Sequence, residues 1–157
     1  MPQRDEIILL MEACHVAQVA AIEQACFSEP WSEAAFRSEL TNPQALTLVA
    51  LRQDRVTGFV NLAFAADTAD INTVAVDGAY RRQGIGRRLL LAAEAWLEGQ
   101  VSAYFLEVRQ SNAPAIALYQ SLGYQQVGVR PRYYHKPDED GLLMRKDIKK
   151  DDLTCIY

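Results

Sequence analysis

The chain has 157 residues, half of them hydrophobic, and a formal net charge of −4. This length fits one domain with a buried core, and the composition excludes a disordered, low-complexity chain. The negative charge disfavours nonspecific binding to nucleic acid. We predict no secretory leader and no membrane span, because no apolar run approaches the roughly 18 residues that a span needs. Three cysteines without metal-ligand spacing are predicted to be reduced thiols of a cytoplasmic protein.

Hydrophobic periodicity and turn residues predict an alternation of strands and helices along the chain. In chain order, the predicted elements are strand 7–11, helix 16–27, helix 32–40, strand 45–51, strand 56–64, strand 67–76, helix 85–98, strand 101–108, helix 112–122, strand 124–130 and strand 142–148. This order predicts an α/β fold with a mixed sheet. The domain is expected to cover 1–148, with a loosely held tail at 149–157.

Capping residues support the helix boundaries. Ser32 suits the N-cap of the second helix, and Trp31 and Phe36 stand at the two positions of a hydrophobic staple. Asn112 suits the N-cap of the last helix, and Gly123 suits its end.

The stretch from Asp70 to Gly99 carries the clearest functional signal. A β-branched strand leads into the loop Arg81-Arg82-Gln83-Gly84-Ile85-Gly86-Arg87-Arg88, and an amphipathic helix follows. Glycine lets a backbone approach a ligand closely, and the free amides at a helix N-terminus attract anions. The four arginines add charge-assisted hydrogen bonds. The loop is therefore predicted to bind a phosphate or pyrophosphate.

The glycine spacing narrows the choice of ligand. A Rossmann fingerprint needs a third glycine where this chain has Leu89, and the Gly-Lys-Ser/Thr of a P-loop is missing. The pattern Arg81-x-x-Gly84-x-Gly86 after an apolar strand instead resembles motif A of the Gcn5-related N-acetyltransferases (GNAT). The resemblance implies a single-domain GNAT-like fold and acetyl-CoA as cosubstrate, with the pyrophosphate on the amides from Gln83 to Arg88. The cofactor-binding residues that it implies are Val74, Val76, Arg81, Arg82, Gln83, Gly84, Ile85, Gly86, Arg87, Arg88 and Asn112.

Glu107 is a carboxylate in an otherwise apolar strand. A charge in that position must face a cleft, form an ion pair or bear a desolvation cost. In a cleft, a carboxylate can act as the general base for an attacking amine. The alternative is a structural glutamate that pairs with Arg109 or Arg132.

The run from Asn112 to Tyr119 resembles motif B of the same family, in which the asparagine caps a helix near the pantetheine and the tyrosine reaches the sulfur. A phenol with an ordinary pKa near ~10 is a suitable acid for a coenzyme A thiolate. We therefore predict Glu107 as general base and Tyr119 as general acid. The alternative for Tyr119 is simple packing beside Leu118 and Leu122.

Other segments resemble the RimI-type branch of the family, which acetylates the N-terminal alanine of a ribosomal protein. They are Pro30-Trp31-Ser32-Glu33-Ala34-Ala35-Phe36, the run from Leu106 to Gly123, and Tyr133-Tyr134. The resemblance implies that Trp31, Tyr133 and Tyr134 bind the substrate peptide. A staple explains Trp31 as well, and an exposed aromatic turn explains the tyrosines.

The histidines and the cysteines add no second catalytic system. His15 and His135 are predicted to be surface or capping residues, with His135 a weaker candidate for substrate contact. No metal site is predicted.

The predicted function is transfer of an acetyl group from acetyl-CoA to a protein N-terminal α-amine. The expected partner is a ribosomal protein, without direct binding to nucleic acid or membrane. Two alternatives stay open. One keeps the fold and changes the acceptor to a small amine, an antibiotic or a lysine. The other is a noncatalytic acyl-CoA sensor, which would need neither Glu107 nor Tyr119.

Overall fold

The computed structural model describes residues 5–148, and the predicted tail lies outside them. The strands are β1 (Glu6–Leu10), β2 (Ala45–Arg52), β3 (Arg55–Ala65), β4 (Thr68–Val76), β5 (Ala103–Arg109), β6 (Gln125–Tyr134) and β7 (Glu139–Asp147). The helices are α1 (Val16–Cys26), α2 (Glu33–Glu39), α3 (Ile85–Trp96) and α4 (Ala113–Ser121). Their order along the chain is the predicted one. The sequence pattern misses two short 3₁₀ turns, at Ala13–His15 and Gly78–Tyr80.

Within residues 5–148, seven strands form one sheet in the order β1-β2-β3-β4-β5-β7-β6. In this part of the chain, β4 and β5 are the one parallel pair, and the other neighbours are antiparallel. The predicted α/β class with a mixed sheet is confirmed. Because β4 and β5 are parallel, α3 serves as the crossover between them.

Each face of the sheet carries an apolar core, because side chains alternate between faces along a strand. On β2 and β3, Leu48 and Leu62 face the core that α3 and α4 complete, whereas Val49 and Phe59 face the core of α1 and α2. All four are fully buried. None of the helices in the described part of the chain combines the length and the apolarity that a membrane crossing would need.

The predicted start of α2 is confirmed in detail. Oγ of Ser32 accepts a hydrogen bond from the amide of Ala35 at 3.1 Å. The rings of Trp31 and Phe36 lie with their centroids 5.3 Å apart, which is the expected staple.

The last hairpin is longer than predicted. β6 continues to Tyr134 and β7 starts at Glu139, so both strands extend beyond the predicted 124–130 and 142–148 toward their common turn. β6 is an edge strand and most of its side chains are exposed, so its sequence has no buried face to impose an alternating pattern. Its tip is fixed by pairing with β7.

The pairing of β4 with β5 stops part of the way along the two strands. It runs from Thr68 opposite Ala103 to Ile71 opposite Leu106. Against β3, the register of β4 shifts at the same place and leaves Asn72 as the extra residue of a β-bulge. The two parallel strands therefore separate beyond this point and leave a gap in the middle of the sheet.

Candidate active site

A cavity of about 480 Å³ lies where β4 and β5 separate. Its walls come from the end of α1 and the segment 27–31, from both strands, from α4 and from the tip of β6. The sheet order thus brings together residues that lie far apart in sequence. The predicted site residues that line this cavity are Trp31, Val74, Glu107, Asn112, Tyr119, Tyr133 and Tyr134.

The loop between β4 and α3 starts the helix at a glycine in the left-handed region. Gly84, the N-cap, has φ +78°, which only glycine adopts without strain. The first intrahelical bond runs from the amide of Arg88 to the carbonyl of Gly84 at 3.0 Å. The amides of Ile85, Gly86 and Arg87 thus have no intrahelical acceptor and are available to donate to an anion. The amide of Arg88, which the resemblance included among the amides that hold the pyrophosphate, is the exception, because it is already bonded to the carbonyl of Gly84.

The arginines of the loop fall into two groups. The guanidinium of Arg88 bonds both carboxylate oxygens of Glu6 and, at 2.8 Å, the carbonyl of Gln83. The bonds to Glu6 raise the pKa of Arg88 above its usual value. Arg88 therefore stabilises the shape of the loop. The arginines whose side chains are exposed beside the free amides are Arg81, Arg82 and Arg87.

Next to this loop, the last residue of β4 and the start of α3 lie close to α4. A methyl group at Gly86 would lie 3.8 Å from Val76 and 3.7 Å from Leu118. Val76 thus lies beside Gly86 and does not line the cavity, whereas Val74, two residues earlier on the same strand, does. Asn112 lines the cavity from the opposite wall and is the N-cap of α4, as predicted.

Tyr119 is 8% exposed and lines the cavity from α4. Its ring lies 5.9 Å from that of Tyr124, so the packing role that the sequence left open is also present. Burial raises the pKa of the Tyr119 phenol to about 12. The phenol therefore keeps its proton at neutral pH and can donate it or a hydrogen bond to a group in the cavity.

Glu107 lines the cavity from β5 and forms an ion pair with Arg130, with 3.0 Å between Oε1 and Nε. The alternative prediction, that Glu107 pairs with Arg109 or Arg132, is wrong. Because the side chain of Arg130 is 54% exposed, solvent screens this pair, and it contributes little to stability. The carboxylate of Glu107 is thus held in the cavity by a partner that can move away.

Aromatic rings form the outer part of the cavity. Tyr133 is 47% exposed, and its ring meets that of Tyr134 edge to face, with 5.0 Å between the centroids. Trp31 lines the cavity as well as completing the staple of α2. The structural and the functional interpretations of these residues therefore both fit the geometry.

Glu23 is a cavity residue to which sequence reasoning assigned no role. It is 3% exposed, and its two carboxylate oxygens accept hydrogen bonds from the hydroxyl of Thr73 at 2.7 Å and from the amide of Trp31 at 3.0 Å. A carboxylate on the apolar face of a predicted helix was the signal for such a bonded, buried acid.

Neither histidine lines the cavity. His15 is the N-cap of α1, as one of its two interpretations predicted, but it is buried, and its Nδ1 accepts the amide of Glu12 at 3.0 Å. His135 is exposed and its Nδ1 lies 3.0 Å from a carboxylate oxygen of Asp138. Possible metal-ligand atoms of Glu12, Cys14 and His15 come within 4.8 Å of one another, a grouping that the sequence pattern did not indicate.

A cavity that contains a carboxylate and a phenol, beside a strand that leads into a helix start with three amides that lack intrahelical acceptors, is typical of a group-transfer enzyme with a phosphate-bearing donor. The Acetyltransferase (GNAT) family model matches residues 16–124, and the chain belongs to this family. The predicted family and fold class are therefore confirmed.

Individual relatives agree with this assignment. An uncharacterized protein of Mycobacterium leprae is 37% identical over 149 residues, which are 91% of this chain and 41% of that protein. The chain thus spans about two fifths of that relative. The ribosomal protein bS18-alanine N-acetyltransferase of Escherichia coli is 39% identical over 130 residues, 81% of this chain and 87% of that protein. The crystal structure of the ribosomal-protein-S18-alanine N-acetyltransferase from Escherichia coli superposes with a TM-score of 0.84 at 35% identity, over 92% of this chain and 94% of that one.

Proposed function

We propose that this protein transfers the acetyl group of acetyl-CoA to the α-amine of a protein N-terminus, and that its acceptor is the N-terminal alanine of a small-subunit ribosomal protein. The observation that carries the proposal is the cavity between β4 and β5, which contains both Glu107 and Tyr119. The name of the Escherichia coli relative supports the choice of acceptor.

The donor would bind with its pyrophosphate at the start of α3. The amides of Ile85, Gly86 and Arg87 supply the donors, together with the loop residues Gln83 and Gly84. The exposed Arg81 and the neighbouring arginines of the loop add charge. From there the pantetheine arm would pass Val74 and Val76 on one side and Asn112 on the other, with the thioester in the cavity. The role of Arg88 would be to hold the loop through Gln83 rather than to bind phosphate.

Tyr119 would donate to the leaving sulfur. Its pKa of about 12 exceeds that of an ordinary thiol, near ~8.5, by about 3.5 units, so full proton transfer to a solvated thiolate would cost about 4.8 kcal/mol. The same cavity removes water from the thiolate, which raises the pKa of the thiol too and reduces this difference. We therefore propose that Tyr119 gives a hydrogen bond to the thiolate as it forms and releases its proton late.

Glu107 would accept the proton of the acceptor amine, directly or through water. A peptide α-amine has a pKa of about 7.7–8.0 and a lysine about 10.4, a difference worth about 3.4 kcal/mol of deprotonation cost at neutral pH. An α-amine is already partly neutral, so one carboxylate is a sufficient base. Among residues 5–148, Glu23 is the buried carboxylate on the cavity, but both of its oxygens are already bonded. Trp31, Tyr133 and Tyr134 would contact the first residues of the acceptor.

Mass spectrometry of short peptides tests this proposal. The protein is incubated with acetyl-CoA and a peptide that begins with alanine and contains an internal lysine. We expect one acetyl group on the α-amine and none on the lysine. Efficient acetylation of the lysine when the N-terminus is blocked would contradict the proposed α-amine acceptor and favour a lysine acceptor instead. Binding of acetyl-CoA by calorimetry without release of thiol from any amine would identify a sensor instead.

A further inference from the structure

Arg109, the last residue of β5, points its guanidinium at two separate segments. Nη1 donates to the carbonyl of Pro137 at 2.9 Å and to Oε1 of Glu139 at 3.2 Å. Nη2 donates to the carbonyl of His135 at 2.8 Å and to Oγ of Ser28 at 3.2 Å. A guanidinium carries five N–H donors in a fixed planar fork, so it can serve four acceptors at once.

The two carbonyls and Ser28 belong to two segments beside the cavity, which also share a direct hydrogen bond from the hydroxyl of Ser28 to the carbonyl of His135 at 3.4 Å. The carbonyls lie in the turn 135–138 that joins β6 to β7, directly after the cavity residues Tyr133 and Tyr134. The guanidinium carbon also lies 4.7 Å from the centroid of the Tyr134 ring. Ser28 lies in the segment 27–31, which lines the cavity from the side of α1. Arg109 thus joins the turn 135–138 to the segment 27–31.

The segment 27–31 is bonded on both sides of the gap in the sheet. On the β4 side, Glu23 accepts bonds from the amide of Trp31 and from the hydroxyl of Thr73. On the β5 side, the hydroxyl of Ser28 accepts a bond from Arg109 at 3.2 Å and donates one to the carbonyl of His135 at 3.4 Å. Without Arg109, the segment would keep its attachment to β4 and the 3.4 Å bond from Ser28 to the turn, and it would lose the bond to β5.

We propose that Arg109 is a positioning residue that holds the segment 27–31 and the turn 135–138 at the spacing that the acceptor requires. The proposal depends on the proposed function in one respect, which is that this side of the cavity receives the acceptor. Within the described residues, no hydrogen bond or ion pair joins Arg109 to the loop at the start of α3. Loss of Arg109 should therefore weaken use of the acceptor and leave binding of the donor unchanged.

Hydrogen exchange tests the physical part of the proposal. In Arg109→Gln we expect the amides of 27–31 and of 135–138 to exchange faster together, because both lose the same partner. The matched control is Arg145→Gln, since Arg145 bonds Asp147 on its own strand and packs on Phe105 at the other end of β5. The control should leave both segments unchanged. Faster exchange in 135–138 with unchanged exchange in 27–31 would overturn the proposal.

Steady-state kinetics test the functional part. For Arg109→Gln we expect the KM for an alanine-initiated peptide to rise about tenfold or more, as for the loss of a charge-assisted hydrogen bond, with little change in the KM for acetyl-CoA. Equal rises in both KM values, as a general loss of structure would cause, would contradict a positioning role. Ser28→Ala keeps Arg109 and removes the two hydrogen bonds of this hydroxyl, to Arg109 and to the carbonyl of His135, so it serves if the arginine variant does not fold. Its matched control is Ser38→Ala on α2, and a Ser28→Ala protein with unchanged exchange in 27–31 would also overturn the proposal.

The two tests separate this inference from the proposed function. Hydrogen exchange needs no substrate, so it decides whether Arg109 joins the two segments even if no α-amine is acetylated. Acetylation of the peptide by the parent protein, with an unchanged peptide KM in Arg109→Gln, would leave the proposed function intact and refute the positioning role.

Discussion

Replacement of Tyr119 by Phe removes one hydroxyl and keeps the ring that packs beside Tyr124. Burial is the cause that raises the Tyr119 pKa, and no hydrogen bond joins this hydroxyl to another residue in 5–148, so its loss leaves no buried partner unpaired. If Tyr119 donates to the leaving sulfur, we expect the rate of a single turnover to fall by roughly 10²–10⁴, or about 3–5 kcal/mol of barrier. The affinity for acetyl-CoA should hardly change.

Tyr119→Phe should also change how the stability of the protein depends on pH. The pKa of the phenol is about 12 in the folded protein and ~10 in the unfolded chain. Because the pKa of this phenol is higher in the folded protein than in the unfolded chain, the phenol does not reduce the free energy of unfolding below pH ~10. As pH rises from ~10 toward 12, the unfolded chain ionises first, and the free energy of unfolding falls. The shift corresponds to about 2.7 kcal/mol at the alkaline end. Tyr119→Phe should lose less stability than the parent protein between pH ~10 and 12, and it should equal the parent at pH ~7.5.

The assay is rapid-quench measurement of one turnover with an alanine-initiated peptide, accompanied by calorimetry of acetyl-CoA binding and by urea unfolding at neutral and alkaline pH. Tyr124→Phe is the matched control, because the hydroxyl of Tyr124 is buried without a partner among residues 5–148 and lies outside the cavity wall. An unchanged turnover rate in Tyr119→Phe would refute the role as acid. Equal losses in both variants would refute it too and would indicate packing.

Further predictions concern the phosphate site, the base and the buried acid. Gly84→Val should raise the KM for acetyl-CoA strongly, because a side chain is strained at φ +78°. The control Gly78→Ala should leave this KM unchanged, because a new Cβ there meets no atom within 4 Å. An unchanged KM in Gly84→Val would place the pyrophosphate elsewhere. Glu107→Gln should slow acetylation of the alanine-initiated peptide most at low pH, with a loss that shrinks above pH ~8 as the amine becomes neutral unaided. Arg130→Gln, which removes the ion pair alone, should lack this pH dependence, and a pH-independent defect in Glu107→Gln would mean that the carboxylate only positions the amine. Glu23→Gln should lower the free energy of unfolding in urea by about 1–3 kcal/mol, because an amide NH₂ would replace one of two acceptor oxygens, and equal stability would contradict the bonding described for this group.

The sequence was sufficient for the features whose causes are local. The order of elements follows from periodicity, and the starts of α2 and α4 follow from Ser32 and Asn112, whose side chains bond amides three residues away. The loop predicted to bind phosphate is local as well, because glycine, helix start and arginines are neighbours in the chain, and its binding role stays a prediction. The roles of Glu107, Tyr119 and the aromatic residues stay predictions, although the fold places all of them on one cavity.

Tertiary structure alone decided which partners the charged residues have. Arg88 bonds Glu6, which lies 82 positions away in the sequence, so no local pattern could show that its guanidinium is already used. Glu107 pairs with Arg130, and not with Arg109 or Arg132, which the sequence had offered as partners. The reason is that β7 lies between β5 and β6 and that the pairing of β6 with β7 shifts register on both sides of Arg130. Irregular pairing of this kind depends on contacts between strands rather than on the sequence of either strand, and it decides which side chain reaches the carboxylate.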